Sequence, residues 1–434
     1  MNRLASFYSH LISSPQNLNI YAEDGGHKFL LGSLSGGFQS SPCFQWSEEA
    51  LERKEQWSPL KMPVQAGVQT FHVPDDFRGL PGLFHDSLPD GWGLSITNTF
   101  LNQYNIPSQH ITALINLAVL GDRSWGSLCF EVGDQYHLSS LPVDLHSLGH
   151  DVHKLVQRHA IDISDELFLA SNSLHGARPK IMVDWDGQGQ AYLSMGRTRP
   201  GVDAWIIKFA AQDEHEQAPM IEQVYMDLAR RMKLDVSDSC VLELSGKPAF
   251  ATKRFDRANG ERLFAHSLSG LLHVTHRQSN LDYTHIGQIL SRLNAHHDLE
   301  EAFRRACFNV ALSVRDDHSK NVSFMKKKGQ WGLSPAYDLT YMQGPGGYHC
   351  MNYADCPERD PTRKFVLQVG INYGLDISCC EQILNEALDI SNQFVSTAKN
   401  YDISKKWISP IEKRLKQLCK NLRPTTVAAS KRSV

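Results

Sequence analysis

The densest cluster of chemistry-bearing residues in the 434-residue chain is Val314-Arg315-Asp316-Asp317-His318-Ser319-Lys320-Asn321. Leu333-Ser334-Pro335-Ala336-Tyr337-Asp338-Leu339 follows it. Phosphoryl transfer needs a carboxylate that orients an attacking hydroxyl and takes its proton. It also needs an Asn and a second carboxylate to hold Mg²⁺ against the phosphates. An Asp, an Asn five residues later and an Asp beyond a short hairpin supply that set. Magnesium prefers hard oxygen ligands and keeps several waters, so few protein ligands suffice. Taken separately, Asp-Asp-His after a helix reads as a solvated turn, and Tyr-Asp as another. Taken together, with a strand between them, they favour the chemical reading. Asp316 and Asp317 compete for the role of base.

Lys208 lies inside the apolar run Trp205-Ile206-Ile207-Lys208-Phe209. A buried lysine is costly unless paired, and a kinase pairs one with ATP phosphates and a helix Glu. Glu222, early in the next amphipathic segment, is the candidate partner, with Glu216 also near. Ser171-Asn172-Ser173-Leu174-His175-Gly176-Ala177-Arg178-Pro179-Lys180 precedes a strand. Small residues such as Gly176 and Ala177 let backbone N–H groups approach a phosphate. The plain alternative is a Ser-rich turn. Lys326-Lys327-Lys328 reads as a solvated hairpin tip, and His349-Cys350 with Cys356 fits no common zinc module.

The elements that must position these residues are legible in outline. Strands are expected over 17–21, 29–31, 180–184, 190–195, 205–209, 240–244 and 249–255. Helices are expected over 91–104, 111–119, 150–170, 218–233, 284–294, 299–313, 381–399 and 411–422. A strand running into a short helix fits 44–51, and a hairpin fits 322–325 with 331–333. This order implies an α+β chain with an N-terminal subdomain over 1–135 and an ATP-covering β-rich part over 136–258. A helical catalytic part over 259–425 and a polar tail over 426–434 follow.

The composition, 41% hydrophobic and 21% charged, is that of a globular protein and excludes fibrous, disordered and repeat classes. A net charge of -3 announces neither a nucleic-acid nor a membrane partner. No run of about 18 apolar residues suggests a membrane span, and the N-terminal stretch does not read as a signal peptide. Nine cysteines without a CxxC pair point to reduced thiols and a cytoplasmic setting.

The sequence resembles the HipA family of toxin kinases. Asp316 to Asn321 matches the family's Asp-x-His-x-Lys-Asn, and Ser334 to Leu339 matches Ser-Pro-x-Tyr-Asp-Leu. Gly79-Leu80-Pro81-Gly82-Leu83-Phe84 with Asp86-Ser87-Leu88-Pro89-Asp90-Gly91-Trp92-Gly93 looks like its N-terminal signature, whose carboxylates are expected to serve turns and helix caps. The resemblance implies a two-lobed protein-kinase-like fold, with a β-rich N-terminal lobe and a helical C-terminal lobe. It implies Asp316 as base, Asn321 and Asp338 as Mg²⁺ ligands, and Asp317 facing solvent or a basic neighbour. ATP contacts would come from His175, Gly176, Ala177, Arg178, Lys180, Lys208, Lys253, Phe255, His318, Lys320 and Tyr337. His175 is bulkier than the family's usual Gly or Ala, and Lys253 stands where its hinge strand commonly has Glu. In that strand the backbone of Lys253 to Phe255 would bond adenine. Ser173 matches the family's autophosphorylated serine, whose modification switches the kinase off.

The resemblance further implies a toxin that phosphorylates a translation component such as an aminoacyl-tRNA synthetase, causing growth arrest and persistence. Its antitoxin would be a small helix-turn-helix protein, and DNA would be met only through it. One alternative is a weakly active or inactive subunit that forms a repressor complex with such an antitoxin. Another is a metal hydrolase built on Asp316, Asp317 and His318.

Overall fold

Leu18, Ile20 and Ala22 are fully buried while Asn17 and Asn19 are exposed and Tyr21 half-buried, the period-two signature of a strand packed on one face. The computed structural model describes residues 3–13, 16–37, 40–133, 141–159, 161–171, 176–276 and 281–424. These fall into two compact units interleaved along the chain. Unit 1 comprises 1–223, 237–279 and 319–337, and unit 2 comprises 224–236, 280–318 and 338–434.

Unit 1 holds every strand among the described residues. Its first sheet contains β1 (Gln16–Asp24), β2 (His27–Gly37), β3 (Ser40–Trp46), β4 (Val68–Thr70) and β5 (Leu128–Glu131) in the order β4-β3-β2-β1-β5. Its second contains β6 (Pro142–Val143), β7 (Lys180–Trp185), β8 (Ala191–Leu193), β9 (Asp203–Lys208), β10 (Ser239–Leu244) and β11 (Lys247–Lys253) in the order β10-β11-β9-β7-β8-β6. A two-stranded piece joins β12 (Arg257–Ala258) to β13 (Glu261–Arg262). A third sheet lays β14 (Phe264–Ser267) beside the hairpin of β15 (Ser323–Lys327) and β16 (Gln330–Leu333). Ladder pairing is antiparallel throughout.

Helices of this unit are α1 (Arg3–Ser13), α2 (Glu48–Arg53), α3 (Gly82–His85), α4 (Gly91–Gln103), α5 (Ala113–Leu120), α6 (Leu145–Val156) and α7 (Asp165–Ser171). The helix α8 (Ala218–Arg231) has its first residues in unit 1 and the remainder in unit 2, and α9 (Leu268–Leu272) follows β14. Unit 2 is helical: α10 (Tyr283–Arg292), α11 (Leu299–Leu312), α12 (Arg363–Asn372), α13 (Ile377–Ser391), α14 (Phe394–Ala398) and α15 (Lys405–Leu422). Its core is the apolar face of α11, where Phe303, Ala306, Cys307, Val310 and Ala311 are fully buried.

The structure departs from expectation at several elements. The helix expected over 150–170 is two, α6 and α7. Arg158 takes φ +60, ending α6, and the Ser164 hydroxyl caps the next helix by accepting from Leu167 N–H. The helix expected over 381–399 begins earlier, at Ile377, and breaks after Ser391. The helices α1 and α12 and the strand β14 were not expected. All nine cysteines are free thiols. No helix among the described residues is long and apolar enough to cross a membrane.

Of the turns and helix caps expected of the N-terminal signature's carboxylates, Asp90 serves a turn, at Gly176, and Asp86 braces a capping residue without being one. Asp86, 2% exposed, accepts from Ser267 N–H and Oγ–H at 2.7 Å each and from the His266 ring at 2.6 Å. The other His266 nitrogen bonds Ser58 Oγ at 3.0 Å. Ser267 is the N-cap of α9, so Asp86 fixes the start of that helix from a distance of 181 residues. Close by, His273 accepts a 2.9 Å bond from the Gly82 N–H in the first turn of α3. Burial, with the neighbouring His266 and Lys61, lowers the His273 pKa from 6.5 to about 4. The ring is therefore neutral when folded, and its contribution to stability is complete above pH 6.5 and lost as pH falls toward 4. Measured as urea midpoints, the stability difference between the wild type and His273→Gln should shrink over that interval. A difference that stays constant with pH would contradict it.

Candidate functional site

In unit 1 the second sheet places Lys208 at the end of β9, an interior strand, directly opposite Lys180 on β7 and Phe250 on β11. Both lysines are buried, at 7% and 5% exposure. The Lys208 ammonium lies 2.6 Å from Glu222 Oε1 on α8 and 5.7 Å from the Phe250 ring centroid. Glu222 Oε2 also receives Arg178 at 3.3 Å, and Arg178 reaches Glu214 at 2.6 Å. Glu216, the other sequence candidate, instead pairs with Lys247 at 3.3 Å. Like charges directly opposite in a ladder repel, and burial strengthens that repulsion. The cluster of Arg178, Lys180 and Lys208 is thus one that a polyphosphate would stabilise.

Gly176 and Ala177 are exposed where the expected phosphate loop returns to the sheet, while Ser173 and His175 lie outside the described residues. Gly176 has φ +98, and a Cβ there would lie 2.6 Å from the Lys180 Nζ, so glycine lets that ammonium approach the backbone. The N-terminal signature holds this turn. Asp90 accepts from the Gly176 N–H, and Trp92 N–H donates to Gly176 O at 3.2 Å. Gly91, at φ +40, would place a Cβ only 2.7 Å from Ala177 Cα. The second Asp90 oxygen receives Lys320 Nζ at 2.8 Å. Asp90 occupies the N-cap position of α4 yet makes no capping bond; its carboxylate serves the loop and Lys320 instead. The Lys320 carbonyl accepts from Tyr337 Oη at 2.6 Å, and Tyr337 Oη lies 2.5 Å from Ser323 Oγ.

Phe255 and Tyr337 bring their rings to 5.4 Å, and Trp125 meets Phe255 edge-on at 6.4 Å. All three are partly exposed, and such a trio suits stacking on a nucleobase. Lys253 is directed elsewhere: its N–H donates to Asp238 O at 2.9 Å, and its ammonium pairs with Asp203 and Asp238. Arg254 N–H donates to Ala204 O at 2.8 Å. In the expected hinge strand the Lys253 N–H and ammonium are thus engaged within the protein, and Phe255 is partly exposed. Trp125 was missed, because nothing near it in the sequence marks it.

Unit 2 carries Asp316, His318 and Asp338. The C-terminal end of α11 is pinned: Tyr225 Oη donates to Leu312 O at 2.8 Å, Ser391 Oγ to Ala311 O at 3.1 Å, and Ser313 caps the helix in the left-handed conformation. Asp316 follows three residues on, with its side chain 48% exposed and His318 Nε2 at 3.7 Å. Of the two placements expected for Asp317, solvent or a basic neighbour, it takes the second, beside His349. It is buried, accepting from Tyr283 Oη at 2.8 Å, the His349 Nδ1 at 2.7 Å and the Cys350 N–H at 2.7 Å. Burial, and then the Asp317 charge, raise the Tyr283 pKa well above its ordinary value, so that phenol stays a donor. The two carboxylates are thereby sorted by environment, one accessible and one structural. His349 and Cys350 are holders of Asp317, and no cluster of three or more His, Cys, Asp or Glu able to hold a metal exists among the described residues. Asp338 has φ +55, a conformation that costs a non-glycine residue of order 1–3 kcal/mol and clusters at functional sites. Asn321 belongs to unit 1, at the N-terminal side of β15. An amide oxygen and a carboxylate are hard donors of the kind magnesium takes.

Removing the Asp90 carboxylate should free the Gly176 turn. A charge-assisted bond contributes roughly 1.5–3 kcal/mol, so Asp90→Ala should speed amide hydrogen exchange at Gly176 to Lys180 about tenfold or more. Unchanged exchange there would show that the signature does not hold the loop.

Comparisons with known proteins agree with this architecture. Residues 26–131 match the HipA N-terminal domain, and residues 172–400 match the HipA-like C-terminal domain. No curated protein matches the chain. Among solved structures, it is similar to a chain of the Shewanella oneidensis MR-1 toxin–antitoxin complex of HipA, HipB and operator DNA, with a TM-score of 0.70 and 15% identity over 93% of this chain and 97% of that one. The Helicobacter pylori proinflammatory kinase CtkA covers 52% of this chain at 11% identity, 89% of its own length and a TM-score of 0.33, too low to bear on the fold. The α+β, HipA-type fold expected from the sequence is the one observed, and the chain belongs to the HipA family.

Proposed function

We propose that this protein is an ATP- and Mg²⁺-dependent serine/threonine protein kinase, acting as the toxin of a HipBA-like pair. The observation that carries this reading is the buried Lys208–Glu222 pair with Lys180 directly opposite Lys208. Two buried lysines on one rung of a ladder are costly as plain packing. A polyphosphate would offset that cost, and a Lys paired with a helix Glu is the arrangement kinases use to hold it.

Each residue then has a role set by its own chemistry. Lys208, Lys180 and Arg178 bind phosphate oxygens, with Ala177 offering its backbone N–H, that of Gly176 being taken by Asp90. Phe255, Tyr337 and Trp125 receive the base. By the family's motifs, Asn321 and Asp338 are the proposed metal ligands. Asp316, the accessible carboxylate, orients a Ser or Thr hydroxyl and accepts its proton. When bound, ATP supplies the phosphoryl group and Mg²⁺ neutralises its developing charge. Lys320 fixes its loop to Asp90. The hydrolase alternative loses Asp317, whose oxygens are committed to Tyr283, His349 and Cys350.

The similar Shewanella chain sits in a complex with HipB and operator DNA. By analogy, the partner here is a small helix-turn-helix antitoxin that brings the pair to DNA, and the substrate is a translation component such as an aminoacyl-tRNA synthetase. Ser173, matched to the family's autophosphorylated serine, is the proposed site of inactivating autophosphorylation, where a phosphate would add about -2 charge.

Purified protein given γ-labelled Mg-ATP should label itself at Ser173. Asp316→Asn should reduce the rate by roughly 10²–10⁴, the usual contribution of a general base. Labelling that survives in Asp316→Asn would overturn the assigned base, and absence of labelling together with absence of ATP binding would overturn the kinase reading.

A further inference from the structure

Unit 2 contains an open cavity of about 370 Å³ that none of the roles above uses. Three guanidiniums line it, those of Arg315, Arg359 and Arg414, against a single carboxylate, Asp360. Arg315 is 1% exposed. It donates to Gly347 O and to Asp360, yet its buried Nε has no hydrogen-bond partner among the described residues. Arg414 clamps the same Asp360 with both terminal nitrogens. Arg359 is exposed and lies over the Tyr348 ring at 5.4 Å. Tyr341 and Gln343 add polar lining.

Burial pushes the Asp360 carboxyl up, but its bonds from Arg414 and Arg315 outweigh this and hold it below its ordinary value. It is therefore an anion, and it offsets one of the three positive charges. The remainder matches a phosphate monoester, which carries about -1.5 to -2 charge and presents three acceptor oxygens. Guanidinium forks bind such oxygens in pairs, which is why arginine serves where phosphate geometry is read. The buried Nε of Arg315 is a donor still to be satisfied, and an unmet buried donor is costly.

We infer that this pocket is a phosphate-monoester site, read by Arg315, Arg359 and Arg414, for either a phosphorylated side chain or the free ion. The inference does not depend on the kinase reading. Arg315 directly precedes Asp316, so the pocket has a covalent link to the proposed base.

The test is calorimetric titration of the full chain with inorganic phosphate and with O-phosphoserine. Arg359→Ala is the informative variant, because its exposed side chain can be removed without unfolding the protein. Losing one charge-assisted contact should weaken binding of both probes about tenfold. Lys208→Met controls for phosphate held elsewhere and should keep its affinity within about twofold. Tighter binding of O-phosphoserine than of phosphate identifies a phosphorylated side chain as the source, and equal binding identifies the free ion. Absence of binding by the wild type, or undiminished binding by Arg359→Ala, would overturn the site. That result would leave labelling by Mg-ATP unaffected, so the two proposals fail separately.

Discussion

Two buried lysines set opposite each other on neighbouring interior strands impose the constraint that orders this part of unit 1. Lys180 and Lys208 share a rung of the β7–β9 ladder, and both are buried. Placing one charge out of water costs several kcal/mol, and a second like charge beside it adds repulsion. Glu222 has to be delivered to Lys208 by α8, and its other oxygen takes Arg178. Gly176 suits glycine because its φ of +98 is one that other residues rarely adopt, and the Lys180 ammonium lies beside it. Asp90 then fixes that turn and ties it to Lys320. The N-terminal signature, remote in sequence from this sheet, is in this way a support for the Gly176 turn.

The same economy of buried charge recurs below the loop. Asp256 accepts from Arg254 and Arg257 and from the Gly126 N–H, while Arg257 and Arg262 also reach the carbonyl of Gly126. Arg262 and Arg197 approach Glu23 on β1. The charges at Asp256 are worth keeping because its neighbours are equally buried, and removing one partner of such a pair costs about 3–5 kcal/mol. In unit 2 the buried Asp317 plays the comparable part: three donors converge on it and hold the turn that follows α11. Fixing Asp317 leaves its neighbour as the accessible carboxylate.

Much of this was legible in the sequence, and the limits have physical causes. Period-two alternation at Leu18, Ile20 and Ala22, and the lone lysine in an apolar run at 208, are local signals, and they identified a strand and a buried cation. The resemblance ordered the motifs into one site and favoured Asp316 over Asp317. Local pattern could not show that Asp317 is buried, because Tyr283 and His349 reach it from 34 and 32 residues away. Nor could it show that Asp90 abandons its helix cap for Gly176, a contact 86 residues distant. The expected hinge role of Lys253 rested on its position in a motif, whereas its donors are engaged by Asp203 and Asp238. The division of the helix over 150–170 was hidden because the apolar spacing continues through the break that Arg158 and Ser164 create.

The central claim is that the paired lysines are there to hold a polyphosphate. Its most direct measurement is the affinity of the purified protein for ATP, compared with inorganic tripolyphosphate and with Lys208→Met. The account predicts that the wild type binds both, that tripolyphosphate displaces ATP, and that Lys208→Met weakens each by about tenfold or more. Binding of ATP that is indifferent to tripolyphosphate and unchanged in Lys208→Met would contradict it.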